Sequence, residues 1–275
     1  MTPSRIRRTL TALAASTLLL TACGGNGSTD TSADTGTDTD TSAESGAEST
    51  AEEITGTITV LAAASLTDAF TELAEQLEAD HPGITVELSF GSSTTLAQQI
   101  AEGAEADVYA SAGRGALAQL PDGFGADGDT TDIASNVLQI AVPEGNPAGV
   151  QGLADFARSD IDTVLCAETV PCGGAADEAF AAAGITPTPA SREIDVRATL
   201  SKVTLGEADA AIVYQSDVAT AGDGVEGVEI PAAENVAMPY PMLWSNTDPA
   251  TMAFVDLVRG ADGLAALAAA GFGAP

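Results

Sequence analysis

Basic side chains are scarce in this sequence. Nine Lys plus Arg stand against forty Asp plus Glu in 275 residues, a net charge of −31. The basic footprint that nucleic acid or an anionic membrane surface requires is therefore missing. The same charge opposes any anion at long range, but screening over about 10 Å leaves local dipoles free to hold one. Histidine is almost absent. His81, in Asp80-His81-Pro82-Gly83, reads as a solvated turn residue rather than a base. No G-x-S-x-G elbow occurs, and neither Ser65 nor Ser93 has a histidine in its own motif, which counts against acyl transfer. Two cysteines and one distant histidine make a poor ligand set, so no cation site and no cofactor are expected. The longest apolar run, Leu10 to Leu20, is too short for a membrane span.

What is present begins with a targeting segment, residues 1–22. Arg5, Arg7 and Arg8 supply its positive region, and the apolar run leads to Leu20-Thr21-Ala22-Cys23-Gly24. That ending resembles the bacterial lipobox, in which the cysteine becomes the lipidated first residue. The chain is then exported and held at the outer face of the cell membrane by a lipid on Cys23; the alternative is an ordinary secretory signal with an incidental cysteine. Residues 23–56 carry Gly, Ser, Thr, Asp, Glu and Ala with almost nothing to bury, and read as a disordered acidic tether. Beyond the signal, only Arg114, Arg158, Arg192, Arg197, Lys202 and Arg259 are basic. Cys166 and Cys172, an even pair at short spacing in an exported protein, read as a disulfide contributing about 2 kcal/mol.

The chain is organised around residues 57–95. A strand at Ile58–Leu61 enters Ala62-Ala63-Ala64-Ser65, and a helix follows at Leu66–Ala79 with Leu66, Ala69, Phe70, Leu73 and Leu77 at helical spacing. A second strand, Ile84–Phe90, alternates Ile84, Val86, Leu88 and Phe90 with polar residues and ends in Gly91-Ser92-Ser93-Thr94-Thr95, before a helix that starts at Leu96. Hydroxyl residues thus stand twice at a helix start beyond the carboxyl end of a strand. In an open α/β sheet ligands bind there, and free amides with the helix dipole favour an anion. Ser, Thr and Asp are also ordinary N-caps, so one such turn is explained by folding alone. Two in one unit would meet in one crevice.

Further strands are expected at Ala106–Ser111, Asn136–Val142, Thr163–Ala167, Asp209–Tyr214, Val228–Ile230 and Ala237–Leu243. Helices are expected at Gly113–Leu120, Gly152–Arg158, Ala175–Ala183, from Asp195 onward, Pro249–Leu257 and Asp262–Ala270. Asp195 is the N-cap of its helix, with Leu200, Val203 and Leu205 as buried positions. Asp107, Asp209 and Asp217 read as caps or turn residues, and Tyr240 and Trp244 as packing. Alternating strands and helices indicate mainly parallel sheets. Two groups divide the fold into lobe 1, residues 57–134 plus about 236–275, and lobe 2, residues 135–235.

Five segments in order, AAASLTDAF (62–70), FGSSTTLAQQI (90–100), ADVYASA (106–112), DVRATL (195–200) and AAIVYQSD (210–217), resemble the molybdate-binding proteins of ABC transporters. The resemblance implies an α/β type II periplasmic-binding fold whose two lobes close on one tetrahedral oxyanion held by neutral donors. Carried over by motif, Ser65 and Ser93 offer hydroxyl and amide, Tyr214 its phenol, and Val196 and Cys172 their backbone N–H. This chain departs from the family with Cys172 where Ala is usual and Thr94 where a third Ser is usual. It also implies a monomer, with molybdate or tungstate as ligand and a membrane permease as partner.

The residues themselves support that chemistry. No basic residue sits in a small-residue turn, and Arg197, beside Val196, reads as a link between helices. Three functions stay open: a molybdate or tungstate receptor, a same-fold receptor for sulfate, phosphate or a phosphonate, and an exported enzyme or adhesion module. Without a nucleophile–base pair the enzyme is disfavoured.

Overall fold

The computed structural model of this protein describes residues 53–125 and 130–275. The signal segment, Cys23 and the tether as far as residue 52 lie outside the described residues. Ordered chain begins before residue 57: Ile54 packs on the core, and Gly56 opens the first strand by pairing with Ile84.

The first half is built on β1 (Gly56–Ala63), with β2 (Ile84–Gly91) and β3 (Val108–Ala110) parallel to it on either side. β1 is buried over its last four residues, which are apolar without alternation because both faces of the strand are covered. β2 lies at the sheet edge and keeps the alternating pattern that its sequence shows. A 3-10 turn, Ala64–Leu66, leads from β1 into α1 (Thr67–Asp80), and α2 (Ser93–Ala101) follows β2. The second half is built on β5 (Thr163–Cys166), parallel to β6 (Ser191–Glu193) and β7 (Ala210–Tyr214). Its helices are α3 (Pro171–Ala183), α4 (Val196–Thr204) and α5 (Gln215–Thr220).

Two long strands join the halves. β4 (Thr130–Pro143) pairs through residues 130–137 with β9 (Ala237–Trp244), then through Leu138–Ala141 with β7. Its last residues also pair with β8 (Val225–Glu229). The sequence pattern points to mainly parallel sheets; the pairs β1–β2, β1–β3, β5–β6 and β5–β7 are parallel, whereas as many pairs are antiparallel, all of them involving β4 or β9, which carry no strand–helix alternation. Two tail helices, α6 (Pro249–Arg259) and α7 (Ala261–Ala269), pack back on α1, where Phe70 and Phe254 meet edge to face at 5.6 Å.

Several boundaries move for physical reasons. β4 starts six residues before Asn136, because pairing with β9 captures polar residues that carry no strand pattern. α3 starts at Pro171, four residues before Ala175; proline lacks an N–H and fits the first helical position. α2 starts at Ser93 rather than Leu96, so Ser93 lies in its first turn. The stretches expected as helices near Gly113–Leu120 and Gly152–Arg158 are 3-10 turns. Leu205 is 70% exposed, because α4 ends at Thr204 and the side chain falls beyond its buried face, whereas Leu200 and Val203 are in the core. α3 ends at Gly184, whose φ of 69° is the left-handed conformation that glycine adopts without strain.

Cys166 and Cys172 are disulfide-bonded, joining the end of β5 to the first turn of α3. Replacing both by alanine should lower unfolding stability by about 2 kcal/mol in urea titrations. Phe254→Ala should cost about 3–5 kcal/mol in the same measurement, and Leu205→Ser less than about 0.5 kcal/mol.

Candidate functional site

Between the halves lies a cavity walled on one side by Ala63–Ser65 and Gly91–Ser93, and on the other by Val170–Cys172, Asp195–Val196 and Tyr214. Ser65, Ser93, Cys172, Val196 and Tyr214, taken from five separate motifs, all line it. The cavity offers about 20 Å³ to the centre of a water-sized sphere. With that sphere's radius added, a compact space of this size is a void roughly 3 Å in radius. That suits one central atom with four oxygens.

The walls are mostly helix starts. Ser93 and Val196 are the first residues of α2 and α4, Cys172 is the second of α3, and Ser65 sits in the 3-10 turn that leads into α1. First-turn amides have no acceptor within their own helix, and the positive ends of the helix dipoles lie there too. Asp195, which also lines the cavity, is the N-cap of α4 and accepts a hydrogen bond from the Ala198 amide at 2.8 Å. Gly173 keeps α3 close to β5, since a Cβ at this position would stand 1.9 Å from the Ala167 carbonyl oxygen.

Three hydroxyls complete the donor set, each in a different state. Ser93 Oγ accepts from the Ala112 amide at 3.0 Å, which leaves its own hydrogen to give. Its carbonyl accepts from the Tyr109 phenol at 2.8 Å, and burial pushes that phenol's pKa up to about 12. Ser65 Oγ lies 2.9 Å from the Tyr240 phenol oxygen. Tyr214 is 1% exposed, and its phenol oxygen has no hydrogen-bond partner among the described residues. Burial, followed by the nearby Tyr240 and Asp217, holds Tyr214 well above the ordinary tyrosine range, so it keeps its proton. A buried hydroxyl without a partner is costly. Ser92 Oγ is a second buried, unpartnered oxygen on the same wall.

Among the described residues, no arginine, lysine or histidine lines the cavity. Arg197 instead bridges the halves: from α4 it pairs with Asp68 of α1 and donates to the Ala64 carbonyl at 3.3 Å. Its Nε also lies 3.7 Å from Asp217 Oδ1. Asp217 caps the start of α5, as its sequence position suggests, but it does so in the core. It is fully buried in α5, accepts from the Tyr214 amide at 3.0 Å, and burial raises its pKa to about 7 despite the Arg197 charge. Asp107 and Asp209 do serve chain turns, accepting from the Thr59 and Asp162 amides. His81 caps the end of α1. Trp244 packs under the Arg259 guanidinium, 5.8 Å from its ring centroid. Among the described residues, no group of three or more His, Cys, Asp or Glu side chains could hold a metal ion.

Sequence reasoning finds five of the wall residues but misses Ser92 on the wall and, behind it, Tyr240 and Asn136. Ser92 was legible as the neighbouring hydroxyl in the same turn. Tyr240 and Asn136 reach the site across strand pairs that no local pattern encodes.

Comparison with known proteins places this geometry. Residues 58–273 match the bacterial extracellular solute-binding protein family. The chain is 37% identical over 222 residues to the molybdate-binding protein ModA of Mycobacterium tuberculosis, covering 80% of this chain and 85% of that one. The solved periplasmic molybdate-binding protein of Azotobacter vinelandii matches with a TM-score of 0.66 at 20% identity, over 79% of this chain and 99% of that one. The sulfate-binding protein SubI of Mycobacterium tuberculosis matches with a TM-score of 0.64 at 19% identity, over 78% and 86% of the two chains. These two structural likenesses concern the fold alone, which is the two-lobed type II periplasmic-binding fold. The chain therefore belongs to the bacterial extracellular solute-binding proteins and, within them, to the molybdate-binding protein family.

Proposed function

We propose that this protein is an exported receptor that binds one molybdate or tungstate ion between its lobes and hands it to the permease of an ABC transporter. The observation that carries the reading is the buried, unpartnered Tyr214 phenol among converging helix starts. A fully deprotonated tetrahedral oxyanion satisfies that phenol, the Ser65 and Ser93 hydroxyls and the first-turn amides together. Each charge-assisted bond contributes about 1.5–3 kcal/mol, and several are needed to offset the desolvation of a dianion. The anion is cargo, and the chemistry is binding and release, with no covalent step and no cofactor. Lobe 1 is residues 57–134 with about 236–275, lobe 2 residues 135–235, and closure of the two is the signal the permease reads. All the donors come from one chain, which supports a monomer. The signal segment and the lipobox-like Leu20–Gly24 support export and a lipid anchor on Cys23 at the outer face of the cell membrane.

Calorimetric titration of the chain with molybdate, tungstate, sulfate and phosphate tests this reading. Heat with the first two alone is the expected result; binding of sulfate or phosphate in preference would reassign the receptor, and heat from none of the four would remove the reading. Tyr214→Phe should weaken molybdate binding by roughly ten- to a hundredfold, the loss of one charge-assisted bond, and leave the fold intact.

A pH dependence follows from Asp217. Its folded pKa lies near 7, above the ordinary carboxylate value of 3.8, so burying it favours the protonated form. Its contribution to stability is complete below about pH 4 and is lost as the pH rises through 7. A bound dianion disfavours ionisation further, so above pH 7 binding takes up a proton. Molybdate affinity should fall between pH 7 and 8.5, by less than about tenfold per pH unit. Asp217→Asn should flatten that profile.

A further inference from the structure

The backbone N–H groups around the cavity can only give a hydrogen, but the direction of the Ser65 hydroxyl has to be set by its partners. A serine hydroxyl can give one hydrogen and accept two, and its contact with the Tyr240 phenol at 2.9 Å allows either direction. The direction is decided one step further back. Asn136 Nδ2 lies 3.5 Å from the Tyr240 oxygen and 2.8 Å from Ser216 Oγ. The Asn136 amide cannot be flipped, because its Oδ1 accepts from the Val137 amide at 3.0 Å. The group facing Tyr240 is therefore an NH₂, which has hydrogens only to give.

If Ser65 donated to Tyr240, the phenol hydrogen would have to point at that NH₂ and would be left buried without an acceptor. Tyr240 and Asn136 are 0% and 4% exposed, so such an orphan is expensive. In the other direction every hydrogen is used: Asn136 gives to Tyr240, Tyr240 gives to Ser65, and Ser65 gives into the cavity. The phenol's position is fixed by edge-to-face packing on Phe272 at 5.1 Å and Tyr214 at 6.2 Å. Burial also holds its pKa well above the ordinary value, so the hydrogen is always there to give.

We infer that Tyr240 and Asn136 are positioning residues that lock the Ser65 hydroxyl as a donor toward an oxyanion in the cavity. The inference rests on the oxyanion-receptor reading above and deepens it. Molybdate, tungstate and sulfate present four accepting oxygens. Both residues sit on the crossover strands, Asn136 on β4 and Tyr240 on β9. The hydrogen-bond polarity of the site is thus set by the strands that join the lobes.

The test is a double-mutant cycle on the full-length chain, titrated with molybdate at pH 8. Tyr240→Phe should weaken molybdate binding about tenfold. In a Ser65→Ala background the same change should have no further effect on molybdate, because the residue acts only through that hydroxyl. Asn136→Ala should weaken molybdate binding in the same direction and serves if Tyr240→Phe does not melt cooperatively. Equal losses with and without Ser65, or a molybdate affinity unchanged within twofold, would reduce Tyr240 to packing and overturn the relay. A wild-type chain that takes up no molybdate would overturn the receptor reading and the relay with it.

Discussion

A buried dianion must be met by hydrogens, and this protein supplies them almost entirely from neutral groups. Water solvates such an ion well, so a dry cavity has to return several strong hydrogen bonds at once. Helix starts do this cheaply, since their first-turn amides are unpaired in any case and point the same way as the helix dipole. Four such starts and three hydroxyls converge here, from chain segments as far apart as Ser65 and Tyr214. The strongly acidic surface does not undo the arrangement, because surface charge is screened within about 10 Å whereas the donors act at contact.

The fold is what makes convergence possible. Each half places parallel strands side by side, so consecutive strand-to-helix turns open on one edge. β4 and β9 then hold the two edges face to face. Arg197 crosses the same gap outside the cavity wall, tying α4 to Asp68 and the Ala64 carbonyl. A cation is thus spent on holding the lobes rather than on the ligand. Asp217 beside it is buried with one oxygen unbonded, which is costly in either protonation state.

The local parts of this design were legible in the sequence. The opening strand–turn–helix units, the Asp195 cap, the pairing of Cys166 with Cys172 and the five cavity residues all follow from motifs a few residues long. What the sequence hid was non-local. β4 begins in Thr130-Thr131-Asp132, polar residues that become strand only because β9 lies alongside. Leu205 looked like one more buried position, until the helix ended one residue before it. Tyr240 touches Ser65 across 175 residues of chain and Asn136 touches Tyr240 across 104, both through strand register, and register is invisible in a single sequence. The buried state of Asp217 depends in the same way on what packs around α5.

A crystal structure of the molybdate complex tests the central claim most directly. The account predicts one tetrahedral anion in this cavity, its oxygens about 2.7–3.1 Å from the hydroxyls of Ser65, Ser93 and Tyr214 and from the amides of Cys172 and Val196. Arg197 would remain on Asp68, with no cation in contact with the anion. An anion held by a guanidinium or by a metal ion, or bound elsewhere on the molecule, would contradict it.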